Sequence, residues 1–321
     1  MAYSTNFRPY DAREGFHRIL RNTQNWMEHW IERKLLSNDE VAARWLESLY
    51  YFPHVLTRFR NFLVSHPDIH AAVGYPGSDG AILVACVLRF VCQNIFGDLP
   101  CSISPQITQL LNTIEDSMSN CSHPRIDRSA RRIWRAQANH ALFTHPQHDI
   151  ARQERINTYT LELAEIFAFV CTPHKKDKFL SSIAHMIIEP SFALYEDMSR
   201  SHLKYQVDWK AFSTAMHGLS TQGLERLVNE TNCVNAANNN SQLTVADLRM
   251  NPNIQNPQKH IFFLCSIYPA LKVDQFMGDN SEKRTLVQER MLVAWDPSRI
   301  QGDPSILKVN SWLVQVCSML G

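Results

Sequence analysis

Five arginines crowd the segment HPRIDRSARRIWRAQANHALF, and they are the residues whose type and spacing suggest chemistry. Arg125, Arg128, Arg132 and Arg135 are separated by 3, 4 and 3 positions, which puts four guanidiniums on one helical stripe. Arg131 flanks them, while Ile126, Ala130, Ile133 and Ala141 fall towards the other side. A row of permanently charged, planar forks suits phosphate oxygens. The competing reading is a solvated face paired with acids such as Asp127, Glu154 or Glu162. Only Asp127 lies between His123 and Gln147, which favours an anion-binding surface. The turn His174-Lys175-Lys176-Asp177-Lys178 offers weaker cationic candidates in Lys175, Lys176 and Lys178. Taken alone, it is an ordinary exposed loop before a helix.

Other chemistries lack their patterns. Cys121-Ser-His123 and Cys171-x-x-His174 do not form the paired ligand spacing of a structural zinc site. There is no G-x-S-x-G, no H-E-x-x-H and no phosphate-binding G-x-x-x-x-G-K-[ST]. His66, His123 and His145 each sit between Ser or Thr and Pro, which is turn chemistry. The expectation is a protein that is not an enzyme, with no metal and no cofactor. A helical hydrolase using a His/Asp metal cluster is the distant alternative.

Composition bounds the rest. The chain has 321 residues, 45% hydrophobic and 20% charged, as in a globular protein with a sizeable core. The formal net charge of +1 excludes a uniformly basic surface but not a local basic groove. Ten glycines are few for a barrel or sandwich built on tight turns. The eight cysteines are scattered, with Cys86 and Cys92 inside an apolar run, which fits reduced, buried thiols in an intracellular protein. The N-terminus lacks a signal-peptide core, and the run Ala81–Phe96 is interrupted by Arg89 and Gln93 and too short to span a bilayer. No membrane association is expected.

The elements that must carry the arginines read as helices. Phe16, Ile19, Leu20, Trp26, Met27 and Trp30 share a stripe, and Val41, Ala42, Trp45, Leu46 and Leu49 give a second. Ala81–Phe96, apolar nearly all round, predicts a central buried helix. Gln106–Met118 and the stripe Ile156, Tyr159, Leu163, Ile166, Phe167, Val170 follow. Thr231–Gln242 is asparagine-rich and reads as a loop, and Thr244-Val245-Ala246-Asp247 as a helix cap. Three further helices are predicted over roughly 258–277 (broken at Pro269), 282–294 and 304–320, the last capped by Asp303 with Pro304 in its first turn. The fold class expected is all-α.

One segment carries a resemblance. Tyr205-x-x-x-Trp209-x-x-Phe212-Ser213-Thr214-Ala215-Met216-His217-Gly218 resembles the central motif of nucleoproteins from non-segmented negative-strand RNA viruses, an aromatic followed by aromatic–Ser–X–Ala–Met–Gly. Phe212, Ser213, Ala215 and Met216 match, and His217 intrudes before the glycine. Upstream, Thr172-Pro173, Lys175/Lys176, Ile183, Ile187 and Phe192-Ala193 are similar to the segment before that motif. The likeness covers roughly residues 120–220. It implies two helical lobes around an RNA-binding cleft, with N- and C-terminal exchange arms. Residues 1–20 would be the N-terminal arm, 21–218 and 219–302 the lobes, and 303–321 the C-terminal arm. It further implies sequence-independent encapsidation of single-stranded genomic RNA and self-assembly into a helical homo-oligomer that serves as polymerase template. The partners implied are the viral polymerase and its phosphoprotein-like cofactor. The location implied is the virion nucleocapsid and the host cytoplasm or nucleus. Carried over by position, Arg125, Arg128, Arg131, Arg132, Arg135, Lys175, Lys176, Lys178, Tyr205 and Ser213 would contact RNA. The rival reading is a non-viral helical scaffold whose basic helix face binds an acidic protein.

Overall fold

The computed structural model describes residues 7–32, 47, 54–75, 77–97, 105–121, 123, 125–171, 175–209, 220–238, 240–250, 260–296, 308–309 and 311–318. The helices that hold the core come first in the chain. α1 (Pro9–Met27) buries Phe16, Ile19, Leu20, Trp26 and Met27 along the stripe expected from their spacing and continues into a wider turn over Glu28–Glu32. After it come α2 (His54–Val64), α3 (Pro67–Ala71), α4 (Asp79–Asn94), α5 (Pro105–Asn120), α6 (Arg128–Phe143), α7 (Pro146–Ile166), α8 (Lys176–Ile183) and α9 (Glu189–Arg200). α4 is buried along nearly its whole length from Ile82 to Cys92, as an all-round apolar helix must be. Trp26 packs between Phe167 and Phe179, at ring-centroid distances of 5.7 and 5.5 Å. The indole N–H groups of Trp26 and Trp30 both donate to the Ser182 hydroxyl, so neither is buried without a partner.

The all-α expectation fails in the rest of the chain. β1 (Lys204–Asp208) follows α9, and after α10 (Thr221–Glu230) come β2 (Asn232–Asn235), β3 (Ser241–Gln242), α11 (Val245–Arg249), β4 (Ile261–Tyr268), β5 (Ala270–Met277), β6 (Asn280–Val287) and β7 (Arg290–Trp295). A three-stranded antiparallel sheet has the order β1-β5-β6, and a four-stranded sheet the order β3-β2-β7-β4 with β2 and β7 parallel. The protein is therefore mixed: mostly helical, with two sheets.

The helices expected over 258–277 and 282–294 are strands for definite reasons. Ile261–Tyr268 is rich in β-branched and aromatic residues and is covered on both faces, which removes the alternation that marks a half-exposed strand. Pro269 separates β4 from β5 and the two strands join different sheets. Gly278 and Asp279 form a two-residue hairpin turn between Met277 and Asn280, with Gly278 at φ +64° in the first central position. The asparagine-rich segment also contains β2. Its Asn235, 4% exposed, donates to the Trp295 carbonyl at 2.7 Å and accepts from the Trp295 N–H at 2.9 Å. That side chain extends the sheet where backbone pairing ends.

One apolar cluster joins helices and sheets, from Ala12 and Phe16 through α4 to Val234, Leu264, Leu271 and Leu292. A second, smaller cluster gathers Leu224, Leu248, Ile261, Met291 and Trp295. The final helix α12 (Trp312–Ser318) buries Trp312, Leu313 and Val316 against the first cluster. The expected start of that helix at Asp303 and Pro304 lies outside the described residues. The cap at Thr244 is as read: its hydroxyl accepts from Asp247 N–H, and its own N–H donates to the Asp247 carboxylate. Among the described residues, no helix is long and apolar enough to cross a membrane.

Candidate nucleic-acid interface

The arginine segment forms α6 from Arg128 onward, while Arg125, expected on the same helical stripe, stands before the helix begins. Asp127 caps it, accepting from the Ala130 N–H at 2.7 Å. The tip of the β5–β6 hairpin closes over the same helix end. The Gly278 carbonyl accepts from Ser129 N–H, the Asp279 carboxylate accepts from Arg128 N–H, and Arg125 pairs with Asp279 at 2.5 Å. The three-stranded sheet is thereby fixed beside the arginine helix.

Between them lies a groove of about 940 Å³. Arg128, Arg131, Arg132 and Arg135 line it from α6, Lys204 from β1 and Lys283 from β6. Two carboxylates, Glu115 and Asp274, also face it, so the described lining residues carry a surplus of four positive charges. The whole chain carries only +1. Positive charge is concentrated in this groove while the remainder of the molecule is net acidic. Low-dielectric walls focus such a field on an entering anion.

The four arginines of the groove do different work. Arg132 donates from Nε and Nη2 to the Leu203 carbonyl at 3.3 and 3.0 Å, and burial holds its guanidinium below the ordinary arginine value. Arg135, 8% exposed, donates to the Asn112 side chain at 3.0 Å and pairs with Glu115 at 3.3 Å. These two tie α6 to β1 and to α5. For the side chains of Arg128 and Arg131, no acidic partner is found among the described residues. They are the arginines available to a ligand. Asn139 holds α6 to α9 by donating to the Ser199 carbonyl at 3.0 Å.

Aromatic rings share the groove with these charges: Phe96, Tyr195, Tyr205, Trp209 and Phe276. Tyr205 meets Phe7 edge-on at 5.8 Å, and burial pushes its phenol up to about 12. The Arg89 guanidinium lies 4.0 Å from the Trp209 ring centroid and pairs with Asp68 at 2.6 Å, which fixes the indole in place. Cations beside half-buried rings are a combination that suits a flexible polyanion with stackable bases.

The other expected site residues divide. Arg125 is exposed at the hairpin tip and does not line the groove. Lys175, Lys176 and Lys178 sit at the start of α8, where Lys176 and Lys178 are exposed, and none of the three lines the groove. Ser213, with the rest of the Phe212–Gly218 motif, lies outside the described residues. Sequence reasoning missed Lys204 and Lys283. The signal for Lys204 was the alternation of β1, which β5 shares and which puts every second residue on one face, whereas β6 shows no alternation that would mark Lys283. Among the described residues, no cluster of three or more His, Cys, Asp or Glu could hold a metal ion. No protein-family model, no curated protein and no solved structure matches the chain.

Proposed function

We propose that the protein coats single-stranded RNA, gripping the sugar–phosphate backbone in the α6 groove without reading sequence. One observation carries this reading: Arg128 and Arg131, free of acidic partners among the described residues, share a single groove with Lys204, Lys283 and five aromatic rings. Cations without base-edge selectivity supply affinity that is independent of sequence, and ring faces accept any base. The motif over 205–218 extends the proposal to a nucleoprotein of non-segmented negative-strand RNA viruses. In that role the chain assembles with itself along the RNA, and the filament is the template for a polymerase and its phosphoprotein-like cofactor.

The test is purification without nuclease, followed by absorbance at 260 and 280 nm and negative-stain microscopy before and after RNase. The expected result is co-purifying RNA and rings or filaments that change on digestion. RNA-free protein that also ignores labelled single-stranded RNA at low salt overturns the proposal. Capture of one acidic protein, unaffected by RNase, would assign the groove to the scaffold role instead.

A further inference from the structure

Three charged residues stand in one line across the three-stranded sheet. In the antiparallel register Lys204 of β1 lies opposite Asp274 of β5, and Asp274 lies opposite Lys283 of β6. Directly opposed residues share a face. All three line the groove that holds Arg128 and Arg131 of α6. The row contains two ammonium groups and one carboxylate, so it keeps one unmatched positive charge.

The pairing inside the row is loose. Lys283 Nζ stands 3.9 Å from the Asp274 carboxylate, with the lysine side chain 71% exposed and the aspartate 15% exposed. An ion pair of that length and exposure holds its lysine weakly. Next along the strands, Lys272 and Asp208 pair at 2.5 Å, so the same sheet makes a tight pair where the geometry allows one. The row is also fixed relative to α6. Arg132 grips the carbonyl of Leu203, the residue before Lys204, and Asp279 holds the far end of the hairpin to Arg125 and Arg128.

We propose that Lys204 and Lys283 form a second phosphate-binding subsite, on the sheet wall of the groove, and that Asp274 is its built-in competitor. This inference rests on the RNA-coating reading above. The ligand is one phosphodiester of a single strand whose neighbouring phosphates meet Arg128 and Arg131. A phosphodiester carries one negative charge and two free oxygens, which matches the single unmatched charge and the two lysines. With no strand present, Asp274 stands in for that phosphate and keeps two ammonium groups from facing each other unscreened. When a strand enters, the lysines turn to the phosphate. The carboxylate then opposes binding and limits affinity, so the strand can be released.

The experiment is fluorescence anisotropy of a labelled single-stranded RNA oligonucleotide over a range of KCl concentrations, with thermal melts to confirm folding. Asp274→Asn is the informative variant because it predicts a gain, which misfolding does not produce. Its affinity should rise about five-fold at low salt, as expected for removing one like charge near the strand. The double variant Lys204→Ala/Lys283→Ala should bind more weakly. Its salt slope should fall by about 0.7, from the one phosphate no longer neutralised on a single strand. Unchanged affinity in both variants, while Arg128→Ala/Arg131→Ala binds more weakly, overturns the subsite and leaves the RNA reading standing. A wild-type protein that binds no RNA overturns both. Inorganic phosphate that displaces the oligonucleotide from wild type, but not from the double lysine variant, would make the row a free-anion site and overturn the phosphodiester assignment.

Discussion

Arg132 reaches from α6 to the carbonyl of Leu203, with hydrogen bonds of 3.3 and 3.0 Å from two of its nitrogens. The bond joins the arginine helix to the residue preceding β1. A buried guanidinium used in this way is a strut, since its Nε and Nη2 donors are both engaged by the protein itself. The five arginines of the segment thus serve three purposes. Arg125 holds the hairpin tip, Arg132 and Arg135 hold neighbouring elements, and Arg128 and Arg131 face the groove.

That division predicts a contrast between pairs. Arg128→Ala/Arg131→Ala should leave the melting temperature near wild type and reduce the salt slope for single-stranded RNA by about 1.4. Anisotropy titrations between low and moderate salt check it. Equal slopes for variant and wild type would remove these two residues from the interface.

Arg132→Ala should act mainly on stability. It removes two charge-assisted hydrogen bonds and leaves the Leu203 carbonyl without them, a loss of about 2 kcal/mol. Chemical denaturation measures it directly. A variant as stable as wild type but deficient in RNA binding would reverse the assignment of Arg132 from strut to ligand contact.

Asp79 predicts a pH dependence. It is 4% exposed at the start of α4, accepting from the Ser311 hydroxyl at 3.0 Å and from Leu313 N–H at 3.4 Å, with Cys317 nearby. Burial raises its carboxyl to about 6 against the two hydrogen bonds. A carboxyl raised in the folded state binds its proton more tightly there than in the unfolded chain. The stability that Asp79 contributes is therefore greatest below the unfolded value of 3.8 and is lost as pH rises through about 6. The full displacement corresponds to about 3 kcal/mol. Hydrogen exchange of residues 311–318 should show stronger protection at pH 5 than at pH 7.5. Asp79→Asn should flatten that difference, and an unchanged profile in the variant would remove Asp79 as its origin.

Gly74 predicts how the C-terminal helix is seated. Its φ of +97° is a conformation that a side chain rarely adopts, and its carbonyl accepts from Val309 N–H at 2.6 Å. A Cβ built there would lie 3.0 Å from Val314 Cγ2. Gly74→Ala should cost about 1–3 kcal/mol and raise proteolytic cleavage near α12. Wild-type stability and cleavage would show that the backbone relaxes at this point without loss.

Much of the helical part was legible in the chain. The stripe of α1, the all-round burial of α4, the cap at Thr244 and the arginine stripe of α6 depend on residues a few positions apart, and a helix expresses such spacing locally. The sheets were less legible. β4 is covered on both faces and shows no alternation, and β6 is exposed over most of its length, so neither announces itself by period. The Gly278-Asp279 turn and the Leu271–Lys272–Val273–Asp274 alternation were present in the sequence as hairpin signals.

The sequence by itself determined that Arg128, Arg131, Arg132 and Arg135 fall on one side of α6, with Arg125 just ahead of the helix, because helix geometry makes that a local fact. Which of them the protein itself engages was decided only by tertiary structure. That choice depends on the Leu203 carbonyl, Glu115 and Asp279, which lie 71, 20 and 154 residues from the arginines they engage. The groove itself arises only when a sheet paired across β1, β5 and β6 is brought against that helix, and so do the lysines on its second wall. Long-range strand pairing places Lys204, Asp274 and Lys283 in one row, and spacing along the chain holds no record of it.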